Sequence, residues 1–164
     1  MVSLFHGSAL CDVDGEGNVS LPDFVADVLG PEGSAPDLLV TKHDADPCLV
    51  GYDRSHLSEL GQRAERRRLA DEAAGRDART HYHRMRRTFG VVERLPRCGT
   101  KLRIPPAMRH LGRIDRLALF VGTGESFEIW NPEFAVESGD EQFRELAAYR
   151  LQARGTGSTS ARGH

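Results

Sequence analysis

The sequence lacks the features of secreted and membrane-spanning proteins. It has no apolar run of the ~18 residues that a membrane-spanning helix needs. Its first residues have neither a basic segment nor a long apolar stretch, so we expect no secretory signal. The three cysteines, Cys11, Cys48 and Cys98, are an odd number without close spacing, which favours reduced thiols over a disulfide framework. We therefore expect a cytoplasmic protein with no membrane partner.

A catalytic or metal-binding constellation is also absent from the sequence. His43 and Asp44 have no Ser or Cys motif nearby that would complete a catalytic triad. His81 and His83 are alternate residues, which diverge on a helix, and no third ligand follows closely. We therefore predict no catalytic residue, no metal, no cofactor and no small-molecule substrate, which means that the protein is not an enzyme.

Charge is distributed unevenly along the chain. Residues 1–41 contain no Lys or Arg and seven acidic residues. Residues 96–124 contain only one acidic residue, Asp115, and six basic ones: Arg97, Lys101, Arg103, Arg109, Arg113 and Arg116. Asymmetry of this size usually concerns binding partners rather than the fold. The simpler alternative is a solvated surface with uneven charge.

Turn-forming residues outline the secondary structure of the first part of the chain. We predict strands at residues 9–13 and 19–21 around a Gly-rich turn, and a helix after Pro22 that Gly30 ends. Residues 38–40 and 48–52 form a second hairpin, and residues 54–87 form two helices broken near Gly75.

The same order returns in the second part. Strands are predicted at residues 89–95 and 101–104 around a turn at 96–100, followed by a short helix that Gly112 ends. A hairpin at residues 117–121 and 127–130 then precedes a helix after Pro132 and another at residues 141–154. Leu21-Pro22 matches Ile104-Pro105, and Tyr52 matches Trp130, so we infer a duplication.

The duplication defines the predicted domain organisation of an α+β protein. Two β-hairpin modules at residues 5–53 and 89–137 are joined by a helical connector at 54–88. A C-terminal helix at residues 138–154 and a disordered tail at 155–164 follow.

Residues 7–22, together with Pro47–Tyr52 and Phe127–Asn131, resemble the MraZ family. The resemblance implies two AbrB-like (SpoVT-type) swapped-hairpin modules that form a pseudo-dimeric small barrel with peripheral helices. It also implies a transcriptional repressor that binds short direct repeats in the promoter of a division and cell-wall gene cluster. The family resemblance further implies a ring-shaped homo-oligomer in the cytoplasm and on the nucleoid.

The family signature in each module is Asp, two variable residues, Gly and Arg, and its Arg is the expected DNA contact. In the first module Asp14 and Gly17 match, and Asn18 stands at the Arg position. In the second module, counting back from Ile104-Pro105, Lys101 stands at the Arg position and Arg97 at the Asp position, with Gly99 one place early. We therefore expect a degenerate member of the family.

These positions lead to a predicted set of DNA-binding residues. Lys101 and Arg103 alternate on one strand and thus share a face, with Arg97 in the adjoining turn. Asn18 is included because its amide can hydrogen-bond a base or a phosphate. Arg109 and Arg113 flank the helix behind. The predicted partner is double-stranded DNA, held mainly through phosphate contacts.

Three alternatives remain open at this stage. The basic residues of the second module can instead contact the acidic first module of the next subunit in a head-to-tail ring. The protein can also be a paralogue that has lost DNA binding and serves as an oligomerisation or protein-interaction module. The Arg-rich helices of the connector also contain acidic residues, which favours a salt-bridged exposed surface over a nucleic-acid patch.

Overall fold

The computed structural model describes residues 4–33 and 37–162, with side chains as far as Gly155. It is an α+β structure, as predicted. The first part contains β1 (Ser8–Asp12), β2 (Asn18–Ser20), α1 (Asp23–Leu29), β3 (Leu38–Lys42), β4 (Cys48–Asp53), α2 (Leu57–Ala73) and α3 (Ala78–Met85). The second part contains β5 (Glu93–Leu95), β6 (Arg97–Cys98), β7 (Lys101–Arg103), α4 (Pro106–Leu111), β8 (Leu117–Gly122), β9 (Phe127–Trp130), α5 (Pro132–Ala135) and α6 (Glu141–Arg162).

The strands form two antiparallel sheets that interleave the two halves of the chain. One sheet has the order β1-β8-β9-β4-β3-β5, and the other has the order β2-β7-β6. In the larger sheet β1 pairs with β8, and β5 pairs with β3, so each half lends its first strand to the other. Exchanging β1 with β5, β3 with β8 and β4 with β9 reverses the order of the six strands and leaves every pairing intact. The topology is therefore that of a duplicated unit.

The larger sheet is open, with β1 and β5 at its edges. The closed small barrel expected from the family resemblance is thus not formed among the residues that the structure describes. The physical reason is that β2, β6 and β7 pair with one another in a separate sheet and do not bridge the two edges of the larger one.

Two hydrophobic cores cover the two faces of the larger sheet. The main core joins both sheets and includes Phe120, Phe127, Leu102 and Val19, all at most 2% exposed. On the other face Leu119 and Trp130 pack with Ala135 of α5 and Ala147 of α6. Complete burial of side chains of this size stabilises the fold by about 1.5–3 kcal/mol each.

Two predicted segments differ from the structure. The strand predicted at residues 89–95 is reduced to Glu93–Leu95, because the end of α3 continues as a π-helical turn over Arg86–Gly90. The helix predicted to end near Arg154 runs to Arg162, so the backbone of residues 155–162 is helical where a disordered tail was predicted. Residues 147–154, before this segment, are mostly strong helix formers, and the hydrogen-bonded turns that they form are continued by the following residues.

The predicted hairpins at residues 38–52 and 117–130 are confirmed, as are the helices, including the break near Gly75 between α2 and α3. The strands predicted at residues 9–13 and 19–21 form but do not make a hairpin: β1 pairs with β8 and β2 with β7, and a single Val13–Val19 bridge joins the two segments. Pairing with the other half of the chain has replaced the local pairing. Within residues 4–33 and 37–162, no helix has both the length and the apolar character that crossing a membrane requires.

Candidate nucleic-acid interface

The small sheet contains all four residues predicted to bind DNA. Asn18 lies in β2, Lys101 and Arg103 in β7, and Arg97 in β6. In the β2–β7 pair, Asn18 lies opposite Arg103 and Ser20 lies opposite Lys101. Residues opposite one another point to the same side of a sheet. The side chains of Asn18, Ser20, Lys101 and Arg103 therefore share one face, which we call the β2–β7 face.

The other side of the same strands belongs to the core. Val19 and Leu102 lie opposite one another and are 2% and 0% exposed. Lys101, Arg103 and Ser20 are exposed, and Asn18 is half-buried. The structure therefore brings together three of the predicted residues and adds Ser20, which the sequence analysis missed. Its spacing of two residues from Asn18 on a strand is the signal that could have identified it.

Arg97, in contrast, lies away from the β2–β7 face. It is opposite Leu102, and its guanidinium donates hydrogen bonds to the carbonyl oxygens of Gly30 (2.8 Å) and Gly99 (3.2 Å). The backbone amide of Gly99 donates to the Glu32 carboxylate at 2.8 Å. These contacts tie the β6–β7 hairpin to the segment after α1, so Arg97 positions the hairpin in this structure.

The turn before β2 is held by Asp14. Its carboxylate accepts hydrogen bonds from the backbone amides of Glu16 and Asn18, both at 2.9 Å, and from the Asn18 side-chain amide at 3.1 Å. The two bonds from Asn18 are the main cause that lowers the pKa of Asp14, and the charge of Lys101 contributes less. The Asp14 carboxylate is therefore ionised at neutral pH beside the cations of β7.

Gly17 in this turn is a conformational requirement. Its φ is +90°, and a Cβ atom there would lie 2.6 Å from the carbonyl oxygen of Ile104. The amide of Ile104 donates to the carbonyl of Gly17 at 2.9 Å. The first turn thus packs directly against the second half of the chain.

Two arginines of the second half reach the same turn. Arg103 Nε donates to the carbonyl of Glu16 at 3.4 Å, and an Arg109 terminal nitrogen donates to that of Gly15 at 3.1 Å. The acidic first module and the basic second module therefore already meet within one chain.

The register relates the two halves of the small sheet by a pseudo-two-fold axis at the Val19–Leu102 pair. Since Leu21 corresponds to Ile104, Asn18 corresponds to Lys101, and Ser20 corresponds to Arg103. The β2–β7 face is thus two-fold in its backbone, whereas its two cations both lie on β7.

The turns of the two halves differ in length, which corrects one assignment of the sequence analysis. Cys98 pairs with Lys101 and leaves a loop of two residues, Gly99 and Thr100. In the first half the amide of Asp14 donates to the carbonyl of Asn18 at 3.0 Å, which leaves residues 15–17 in the loop. Cys98, and not Arg97, is therefore the counterpart of Asp14, and the shorter loop explains the early position of Gly99.

No protein-family model matches the chain. Its sequence is similar to several curated bacterial proteins that carry the name Transcriptional regulator MraZ. The protein of Saccharophagus degradans is 28% identical over 155 residues, covering 90% of this chain and all of the relative. That of Alcanivorax borkumensis is 26% identical over 133 residues, covering 79% of this chain and 84% of the relative. That of Thioalkalivibrio sulfidiphilus is 26% identical over 146 residues, covering 87% and 89%.

Proposed function

We propose that this chain, which is a member of the MraZ family, is a transcriptional regulator that binds duplex DNA through the β2–β7 face. The observation that carries the proposal is the pair of adjacent exposed cations, Lys101 and Arg103, on a rigid strand whose opposite side is fully buried. Cations fixed in this way bind phosphates and release counterions from DNA.

The individual residues have different roles in this proposal. Arg103 donates to Glu16 through Nε, which leaves its two terminal nitrogens for a phosphate or for a guanine edge. Lys101 supplies a point charge for a phosphate. The side-chain amide nitrogen of Asn18 donates to Asp14, so its oxygen is the atom that would accept a hydrogen bond from a base. Arg97 contributes indirectly, because its hydrogen bonds to Gly30 and Gly99 hold the β6–β7 hairpin in position.

The family membership supports further details of the proposal. We expect a repressor in the cytoplasm and on the nucleoid that binds direct repeats at a division and cell-wall gene cluster. We also expect a ring-shaped homo-oligomer of swapped-hairpin modules. The interleaved, two-fold strand order supports the swapped-hairpin part of this expectation. Within one chain Arg103 and Arg109 already lie against the turn of the acidic first module, and the charge of Lys101 acts on Asp14 before any subunit contact forms.

One observation favours the alternative of an oligomerisation or protein-interaction module. Asp14 and Glu16 are exposed in the turn beside β7. Asp14 is close enough to Lys101 for the lysine charge to contribute to lowering the pKa of Asp14. Carboxylates at this edge repel phosphate and reduce the net positive charge of the β2–β7 face.

Fluorescence anisotropy with the purified full chain tests the proposal. The probes are a duplex from upstream of its own gene and a scrambled duplex of equal length, at two salt concentrations. We expect tighter binding to the native duplex, and loss of this preference in Lys101→Glu/Arg103→Glu. The charge-reversal control Arg144→Glu, at an exposed position of α6, should retain it. Equal weak binding of both duplexes by the unmodified protein would favour the alternative.

A further inference from the structure

Residues 54–90 contain ten arginines, no lysine and five acidic residues. Their excess of five basic residues equals that of residues 96–124, which have six basic residues and one acidic residue. The sequence favoured a surface on which these charges neutralise one another, and the structure permits a residue-by-residue test of that expectation.

Every acidic residue in this segment already has a partner. The five acids and their contacts are Glu59 with Arg63, Glu65 and Glu72 with Arg68, Asp71 with Arg76 and Arg84, and Asp77 with the backbone amide of Arg79. Asp71 and Arg84 are buried between α2 and α3, at 5% and 8% exposure, so this pair belongs to the interior of the helical hairpin.

Five arginines remain without an acidic partner among the residues that the structure describes. They are Arg54 just before α2, Arg66 and Arg67 on α2, Arg79 on α3 and Arg86 at the start of the π-helical turn, and all five are exposed. The expected neutralisation is therefore only partial: four of the acids pair with other arginine side chains, and the fifth, Asp77, caps α3 through the backbone amide of Arg79.

Arg79 of α3 and Arg86 at the start of the π-helical turn that continues it lie along one side of the helix. Arg79, Tyr82, His83 and Arg86 follow the spacing i, i+3, i+4 and i+7, which places them on a common face. All four are exposed, and Tyr82 is 59% exposed. Arg84, which pairs with Asp71, points to the interior instead. We call the set Arg79, Tyr82, His83 and Arg86 the α3 basic face.

We propose that the α3 basic face is a second DNA-binding surface that contacts the phosphate backbone without regard to sequence. A guanidinium presents a planar fork of hydrogen-bond donors that binds phosphate oxygens, and phosphate contacts carry no sequence information. A lipid surface fits less well, because a membrane-bound helix needs a continuous apolar side, and the exposed side of α3 offers only Tyr82.

The α3 basic face is formed by a different segment of the chain from the β2–β7 face. It would add affinity for DNA but no preference for a DNA sequence. Its test therefore uses the scrambled duplex as the main probe. The variant Arg79→Gln/Arg86→Gln should weaken binding to native and scrambled duplexes by the same factor. It should also reduce the slope of log K against log salt by about two, roughly one for each phosphate contact. The control Arg144→Gln, which removes an exposed arginine from α6, should leave both quantities unchanged.

A second comparison separates this surface from the proposed function. In the Lys101→Glu/Arg103→Glu background, salt-dependent binding of the scrambled duplex should persist and should fall on adding Arg79→Gln/Arg86→Gln. Preference for the native duplex with no effect of Arg79→Gln/Arg86→Gln on affinity or slope would overturn the inference and leave the proposed function intact. Arginine-dependent binding without any native preference would support the inference and contradict the proposed function. Binding to phosphatidylglycerol vesicles but to neither duplex would overturn the inference in favour of a lipid surface.

Discussion

Adding cations to β2 tests whether the β2–β7 face binds DNA with one half only. Asn18 and Ser20 are the counterparts of Lys101 and Arg103 about the Val19–Leu102 pair. We expect Asn18→Lys/Ser20→Arg to create a second basic half on the same face. Because the backbone relation is two-fold, the new cations should occupy positions equivalent to the existing ones.

The magnitude follows from the number of added charges and from the register. Two further phosphate contacts should steepen the slope of log K against log salt by about 1.8, since each contributes roughly 0.9. The new lysine would face Arg103 and the new arginine would face Lys101 across the strand pair. Like charges in this position should destabilise the free protein by about 1 kcal/mol in total.

Anisotropy titrations over a range of salt concentrations measure the slope, and urea unfolding followed by Trp130 fluorescence measures the stability. The matched control is Asn18→Gln/Ser20→Asn, which keeps both positions polar and neutral and should keep the original slope. A slope that stays unchanged in a folded Asn18→Lys/Ser20→Arg protein would refute the reasoning, because the β2–β7 face would then not lie against DNA.

Three further predictions concern the fold and its ionisable groups. Gly17→Ala should lower the free energy of unfolding by about 2–4 kcal/mol, as measured by urea unfolding. The reason is that Gly17 has a φ of +90°, and a Cβ atom there would lie 2.6 Å from the Ile104 carbonyl oxygen. A decrease in the free energy of unfolding below about 0.5 kcal/mol would contradict this. Arg76 and then Arg84 lower the pKa of Asp71, so the stability from these contacts is present above the ordinary aspartate pKa of 3.8 and is lost as pH falls through the lower value of the folded state. Asp71→Asn should therefore reduce the acid-dependent loss of helicity in circular dichroism, and an unaltered acid transition would argue against the role of these ion pairs. Burial raises the pKa of Cys11 to about 11 and also raises that of Cys48, whereas Cys98 is exposed. At neutral pH one thiol for each chain should react rapidly with a thiol reagent, and Cys98→Ser should remove this phase; rapid reaction that survives the substitution would contradict the assignment.

Local signals predicted most elements because glycine and proline restrict the backbone independently of distant contacts. Gly30 and Gly112 end their helices as predicted, and Pro22 and Pro105 precede α1 and α4. The length of the strand predicted at residues 89–95 was too great, because the local signal there did not show where α3 ends. The apolar residues of this segment suit a strand, but the first of them are taken up by a π-helical turn whose Val91–Arg86 hydrogen bond continues α3.

The candidate site was predicted in part. Strand alternation alone places Lys101 and Arg103 on one face, and the structure agrees. The same reasoning could not place Arg97, because its partner across the hairpin depends on the length of the turn. A loop shorter by one residue moves Arg97 opposite Leu102 and turns its guanidinium towards Gly30.

The sequence by itself determined the α+β class, the duplication, the positions of the turns and the family resemblance that the curated relatives support. Only the tertiary structure decided which strands pair, because hydrogen bonds between β1 and β8 or between β3 and β5 join residues far apart in the chain. It also decided the register that makes Asn18 and Ser20 counterparts of Lys101 and Arg103. It decided as well the ion pairs that leave Arg79 and Arg86 without an acidic partner among the described residues. These outcomes depend on long-range pairing and on competition among many charges, and local spacing along the chain specifies neither.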